Sequence, residues 1–119
     1  MGKPSKCISV SEAKTLQKRW LDTRAKEIEA AEGAEDASDF TYSLSDLEEF
    51  VQYVREESTK QGIDNPGVRI YFAAYDNAKS KKATVFLAPT MGPDADSDNN
   101  YNIDPMDRSG TGWPPNKYE

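Results

Sequence analysis

The stretch VRIYFAAYDNAKSKKATVFLAP, Val68 to Pro89, holds two runs of β-branched and aromatic residues separated by the polar segment DNAKSKK. Runs of that composition favour extended backbone, and the short polar connection between them predicts a β-hairpin. A four-residue loop at Asn77 to Ser80 places Ala74 opposite Ala83, Phe72 opposite Val85 and Ile70 opposite Leu87. One face is then almost entirely aliphatic. Alternation along the strands puts Arg69, Tyr71, Ala73 and Tyr75 beside Lys82, Thr84, Phe86 and Ala88 on the other. Two strands are not stable alone in water, so the rest of the chain must supply cover.

Two helices precede the hairpin. Ser9 with Glu12 three residues on is a capping box, and Ile8 can staple onto Ala13. Ala13, Leu16, Trp20, Leu21 and Ile28 recur at helical spacing, so one helix is expected to run to Gly33 with Trp20 in the core. The second helix starts at Ser43, with Asp46 at its third position and Tyr42 stapled onto Leu47, and runs to about Gln61 before Gly62. Leu44, Leu47, Phe50, Val51 and Val54 form its apolar stripe. Phe40 to Tyr42 either add a short third strand or cover the core.

Two amphipathic helices laid on the aliphatic face of a small antiparallel sheet make an α+β fold. Its expected organisation is a flexible stretch 1–8, a single domain 9–90 with strands near 68–75 and 83–88, and an extended tail 91–119 packed on the sheet. The tail holds Asp, Asn and Pro in place of apolar runs, yet Tyr101, Ile103, Met106, Trp113 and Tyr118 are spaced through it as anchors. Trp113 in a stiff Trp-Pro-Pro segment can lie over Tyr71 or Phe86 at small entropic cost. Left uncovered, that face would be a site for a partner or a homodimer.

Composition removes several function classes. The chain has no histidine and one cysteine, Cys7, so Ser-His and Cys-His pairs, the usual zinc sites and internal disulfides are all out of reach. The lone thiol favours a reducing compartment, and a cytoplasmic location is expected. No apolar run approaches a membrane span, the first ten residues lack the apolar core of a signal peptide, and Lys6 stands where a myristoylation signal needs a hydroxyl. No membrane association is expected.

The net charge of −6 is uneven: +3 over residues 1–30, −8 over 31–67, +3 over 68–90 and −4 over 91–119. Acidic surface repels phosphate backbones, which disfavours nucleic acid despite the aromatic and basic hairpin face, and no RNP-type pattern is present. A basic protein partner is the complementary choice, although acid also serves solubility alone.

Chemistry has little to hold. Asp94, Asp96, Asp98 and Asn100 alternate as calcium ligands do in a loop, but Asn99 stands at the glycine position of an EF-hand and Pro105 at its glutamate, so calcium is the weaker reading. Asp104 with Asp107 can form an acid and base pair, and Lys79, Lys81 and Lys82 can contact phosphate, yet each set has an ordinary solvated explanation. There is no phosphate cradle, nucleophile elbow or paired-cysteine motif.

The blocks GVRIYFAAY (67–75), TVFLAPT (84–90), YNIDP (101–105) and GWPP (112–115) resemble those of small uncharacterised bacterial proteins. The resemblance implies a bacterial single-domain protein whose tail belongs to its fold, and it carries no functional residue across.

The expected function is that of a small acidic, non-catalytic interaction module, accessory or immunity-like, whose second helix presents Glu48, Glu49, Glu56 and Glu57 to a basic protein. The alternative is a ligand-binding or enzymatic domain with its pocket between the tail and the hairpin face of Arg69, Tyr71, Tyr75 and Phe86.

Overall fold

The computed structural model describes residues 2–107 and 115–119, and its chain forms two compact units: Met1–Asp39 with Trp113–Glu119, and Phe40–Gly112. Among the described residues, three helices and one antiparallel sheet make it an α+β protein. No helix among the described residues is long and apolar enough to cross a membrane.

In the first unit, α1 (Val10–Asp22) is capped as expected, the Ser9 Oγ accepting from the Glu12 N–H at 3.0 Å. The single long helix is corrected at Thr23, where φ −118° and ψ −83° interrupt it before α2 (Arg24–Glu32). The Thr23 hydroxyl donates to the Arg19 carbonyl at 2.6 Å, a back-bond that competes with helical geometry and bends the chain. Gly33 closes α2 at φ 80°, its N–H reaching the Glu29 carbonyl. Neither helix has a fully buried residue, and Trp20, expected in a core, is only half-buried. The chain end ties on through polar bonds: Asn116 N–H to Asp39, Tyr118 N–H to Gln17, and a Lys117–Glu35 ion pair at 3.4 Å.

In the second unit, α3 (Leu44–Lys60) begins where the Ser43 Oγ accepts from the Asp46 N–H at 3.0 Å, and the chain leaves it through Gly62 at φ 76°. Strands β1 (Gly67–Ala74) and β2 (Ala83–Thr90) pair in the expected register, with Ile70 opposite Leu87, Tyr71 opposite Phe86 and Phe72 opposite Val85. Phe50 and Val54 of α3 bury against Leu87, flanked by Tyr42, Leu47 and Met106.

That core lies over β2, which corrects two expectations. Leu44 and Val51 drop out of the buried stripe of α3, and the aliphatic face is covered on only one of its strands: Ile70 is 66% exposed and Phe72 91%. Of the two readings of Phe40 to Tyr42, cover for the core is the one that holds. Phe40 to Tyr42 are not extended into the sheet, and Tyr42 packs on the core instead. The far edge of β2 is met by the tail, where Leu87 and Met106 exchange backbone bonds of 2.8 and 2.9 Å and Asn100 N–H reaches the Pro89 carbonyl at 2.9 Å. Pairing along both edges makes β2 the centre of the unit, and six of its eight residues are buried.

Candidate functional site

Tyr71 and Phe86 face each other across the ladder and stack, ring centres 5.1 Å apart and planes at 19°. Tyr71 is thereby aimed at the tail. Its hydroxyl accepts from the Asn99 side-chain amide at 2.7 Å, and the same amide reaches the Tyr101 hydroxyl at 3.3 Å. Asn99 in turn is held by Arg69, whose guanidinium donates to its carbonyl oxygen at 2.6 Å and to the Ala95 and Ser97 carbonyls at 2.9 Å. Donation from Asn99, aided by the Arg69 charge and opposed by loss of solvent, lowers the Tyr71 pKa from the ordinary tyrosine value.

Between this cluster and the tail lies a cleft of about 340 Å³ lined by Phe86, Ala88, Pro89, Ile103 and Pro105, with Tyr71, Asn99 and Asp104 as polar members. Ile103 is only 2% exposed and anchors the tail that forms the wall. The buried Asn100 assists by donating to Gln61 at 2.9 Å and accepting from the Asn102 N–H at 3.0 Å. The cleft is small, apolar at its floor and polar on one side, the make-up of a site for a compact organic molecule.

Tyr75, expected on the same face, is separated from the cleft. It borders a depression of about 560 Å³ at the hairpin loop with Asn77, Lys79 and Asp107. Asp107 does structural work there: its carboxylate accepts from Tyr75 at 2.6 Å and from Thr84 at 2.9 Å, and its carbonyl accepts from Tyr42 at 3.1 Å. Both carboxylate oxygens are engaged, so an acid and base role with Asp104 has no geometric support. Trp113 lies outside the described residues.

The carboxylates of α3 divide. Glu48, Glu49 and Glu56 are exposed, with no ion-pair partner among the described residues, while Glu57 pairs with Lys60 at 2.9 Å. Gln52 donates to Glu56 at 2.7 Å, an i,i+4 contact along the helix surface.

Asp94, Asp96, Asp98 and Asn100 do not converge. Asn100 is spent on Gln61, Asp94 and Ser97 close a turn, and among the described residues no group of three or more acidic or cysteine side chains stands close enough to hold a metal. Sequence reasoning missed Asn99 as the hub of the aromatic face, because its partners lie about thirty positions away and nothing local marks it.

No family model matches the chain, and neither a curated protein nor a solved structure does, so the block resemblance assigns no family.

Proposed function

We propose that this is a small non-catalytic interaction protein that docks a basic protein partner on the outer face of α3. The observation that carries the reading is the exposed set Glu48, Glu49 and Glu56, none of them in an ion pair among the described residues and all on a capped helix, with Lys60 a cation whose field reaches Glu56. A fixed array of like charges costs self-repulsion, which a cationic surface relieves, and it steers that surface in by long-range attraction. Glu57, already bound to Lys60, contributes less. A cytoplasmic setting fits the exposed, unpaired Cys7.

The test compares the intact protein with Glu49→Lys/Glu56→Lys as bait in lysate of the source cell. Wild type should retain a basic protein that high salt releases, and the double variant should lose it while its circular dichroism is unchanged. Equal retention by both, or none by wild type, refutes the α3 interface.

A second reading rests on the Tyr71–Phe86 cleft. A compact planar molecule fits there, stacked at the apolar floor and hydrogen-bonded to Asn99 and Tyr71. It would raise the melting temperature by mass action, and the rise should vanish in Asn99→Ala. A small-molecule and calcium screen without any shift counts against it.

A further inference from the structure

Among the described residues, strand β1 has a free edge. In an antiparallel ladder alternate residues bond the neighbouring strand, and the bond from Tyr75 N–H to the Lys82 carbonyl sets the phase. Residues 69, 71 and 73 therefore bond β2, and the N–H and C=O groups of Val68, Ile70, Phe72 and Ala74 point outward. None of these four has a backbone partner on that side among the described residues. The same four carry exposed side chains. Unmade hydrogen bonds and uncovered apolar surface thus coincide on one strand.

Natural edge strands are blunted by proline, lysine, a bulge or a covering segment. The sheet's other edge has such a cover in Asn99 to Met106. Among the described residues β1 has none of these: its register is unbroken over eight residues, it contains no proline, and its one charge, Arg69, is turned to the other face and held by Asn99, Ala95 and Ser97.

We propose that β1 is a dimerisation strand: two copies of this chain pair antiparallel along it about a twofold axis at Tyr71, forming one four-stranded sheet. The strand is its own complement in that register. Ile70 falls opposite Phe72 of the second copy, Val68 opposite Ala74, and Arg69 opposite Ala73, so no like charges meet and the exposed face pairs apolar residues with apolar ones. The arrangement also fits α3. Three strand spacings put the two β2 strands about 14 Å apart, more than the 8–10 Å of directly packed helices, and Ile70 and Phe72 of both copies occupy the floor between the two α3 helices. An eight-residue strand about 27 Å long offers a footprint of about 400 Å² per copy, below that of permanent complexes, so the dimer is reversible. This inference is independent of the α3 interface and differs from it in salt response: charge docking weakens with salt, whereas backbone and apolar pairing of two acidic copies does not.

Sedimentation velocity from low micromolar to submillimolar protein tests it. The mass should climb from 13.3 kDa toward twice that as concentration rises, at low and high salt alike. Phe72→Lys puts a charge on a 91% exposed position, and Ile70→Pro removes an outward N–H that β2 does not use. Both should stay at monomer mass with unchanged circular dichroism. In a Cys7→Ser background, Tyr71→Cys should oxidise to a covalent dimer while Ala73→Cys does not, since only position 71 meets itself across the axis. A wild-type mass that remains at 13.3 kDa throughout, a Phe72→Lys protein that associates like wild type, or cross-linking at position 73 in place of 71 overturns the proposal.

Discussion

Tyr75 donates its phenol proton to the Asp107 carboxylate across 2.6 Å, joining positions 32 apart in the chain. With Thr84 on the other oxygen and Tyr42 on the backbone carbonyl, this one residue ties the hairpin and the segment before α3 to the tail. Asp107→Ala strips partly buried hydroxyls of their acceptor and should cost about 1–3 kcal/mol, read as a lower urea midpoint at unchanged slope. Asp107→Asn, which keeps one acceptor oxygen, should lose less. A wild-type midpoint for the alanine variant would show that the node carries no stability.

Ser58 is fully buried in α3, and its hydroxyl has no hydrogen-bond partner among the described residues. Desolvating a hydroxyl without compensation is unfavourable, so Ser58→Ala should be neutral or stabilising by up to about 1 kcal/mol. Chemical denaturation checks this. A clear loss of stability would mean that the hydroxyl is bonded after all.

Gly67 opens β1 close against Thr90 and Gly92. An added Cβ would stand 2.6 Å from the Thr90 Oγ1 and 2.8 Å from the Gly92 carbonyl oxygen, and the latter is backbone that cannot swing aside. Gly67→Ala should cost about 1–3 kcal/mol through overpacking. At Gly33 the added atom meets nothing within 4 Å, but φ +80° is left-handed. Gly33→Ala should therefore cost about 1–2 kcal/mol from conformation alone. Thermal melts of the two variants separate crowding from backbone strain.

Two tyrosines should titrate on opposite sides of the ordinary range. Burial, then the Asp107 charge and Tyr75, raise the Tyr42 pKa. Tyr71 is lowered, by Asn99 first. Below the ordinary tyrosine value the Tyr42 contribution to stability is fully present, and it fades as pH rises through the folded value. The Tyr71 contribution has the reverse sign, present above the ordinary value and lost as pH falls through its folded one. Tyrosinate absorbance should lose its earliest component in Tyr71→Phe and its latest in Tyr42→Phe. A single transition unaffected by either substitution would contradict both local environments.

Local signals carried far in this chain. Ser9 and Ser43 announced their helices because a side-chain oxygen three residues ahead of an orphan N–H is a local event. The hairpin register followed from loop length and alternation, which involve only neighbours, and the break at Thr23 was missed because its cause is one back-bonded hydroxyl that the apolar spacing does not reveal. Of the candidate site, the Tyr71–Phe86 pair came with the register, while Asn99 was illegible as its support because its strand partners Arg69 and Tyr71 lie 30 and 28 residues away.

By itself, then, the sequence determined the α+β class, the capped start of α3, the hairpin and its two chemically different faces, since each follows from periodicity, capping and turn length over a few residues. Only the tertiary structure decided which strand is central. Met106 and Asn99 pair along β2 and Phe50 and Val54 close over it, so the same aliphatic alternation yields a buried Leu87 and an exposed Phe72. Burial depends on which long-range segments pack on a strand, and period-two alternation is identical in a covered strand and an open one.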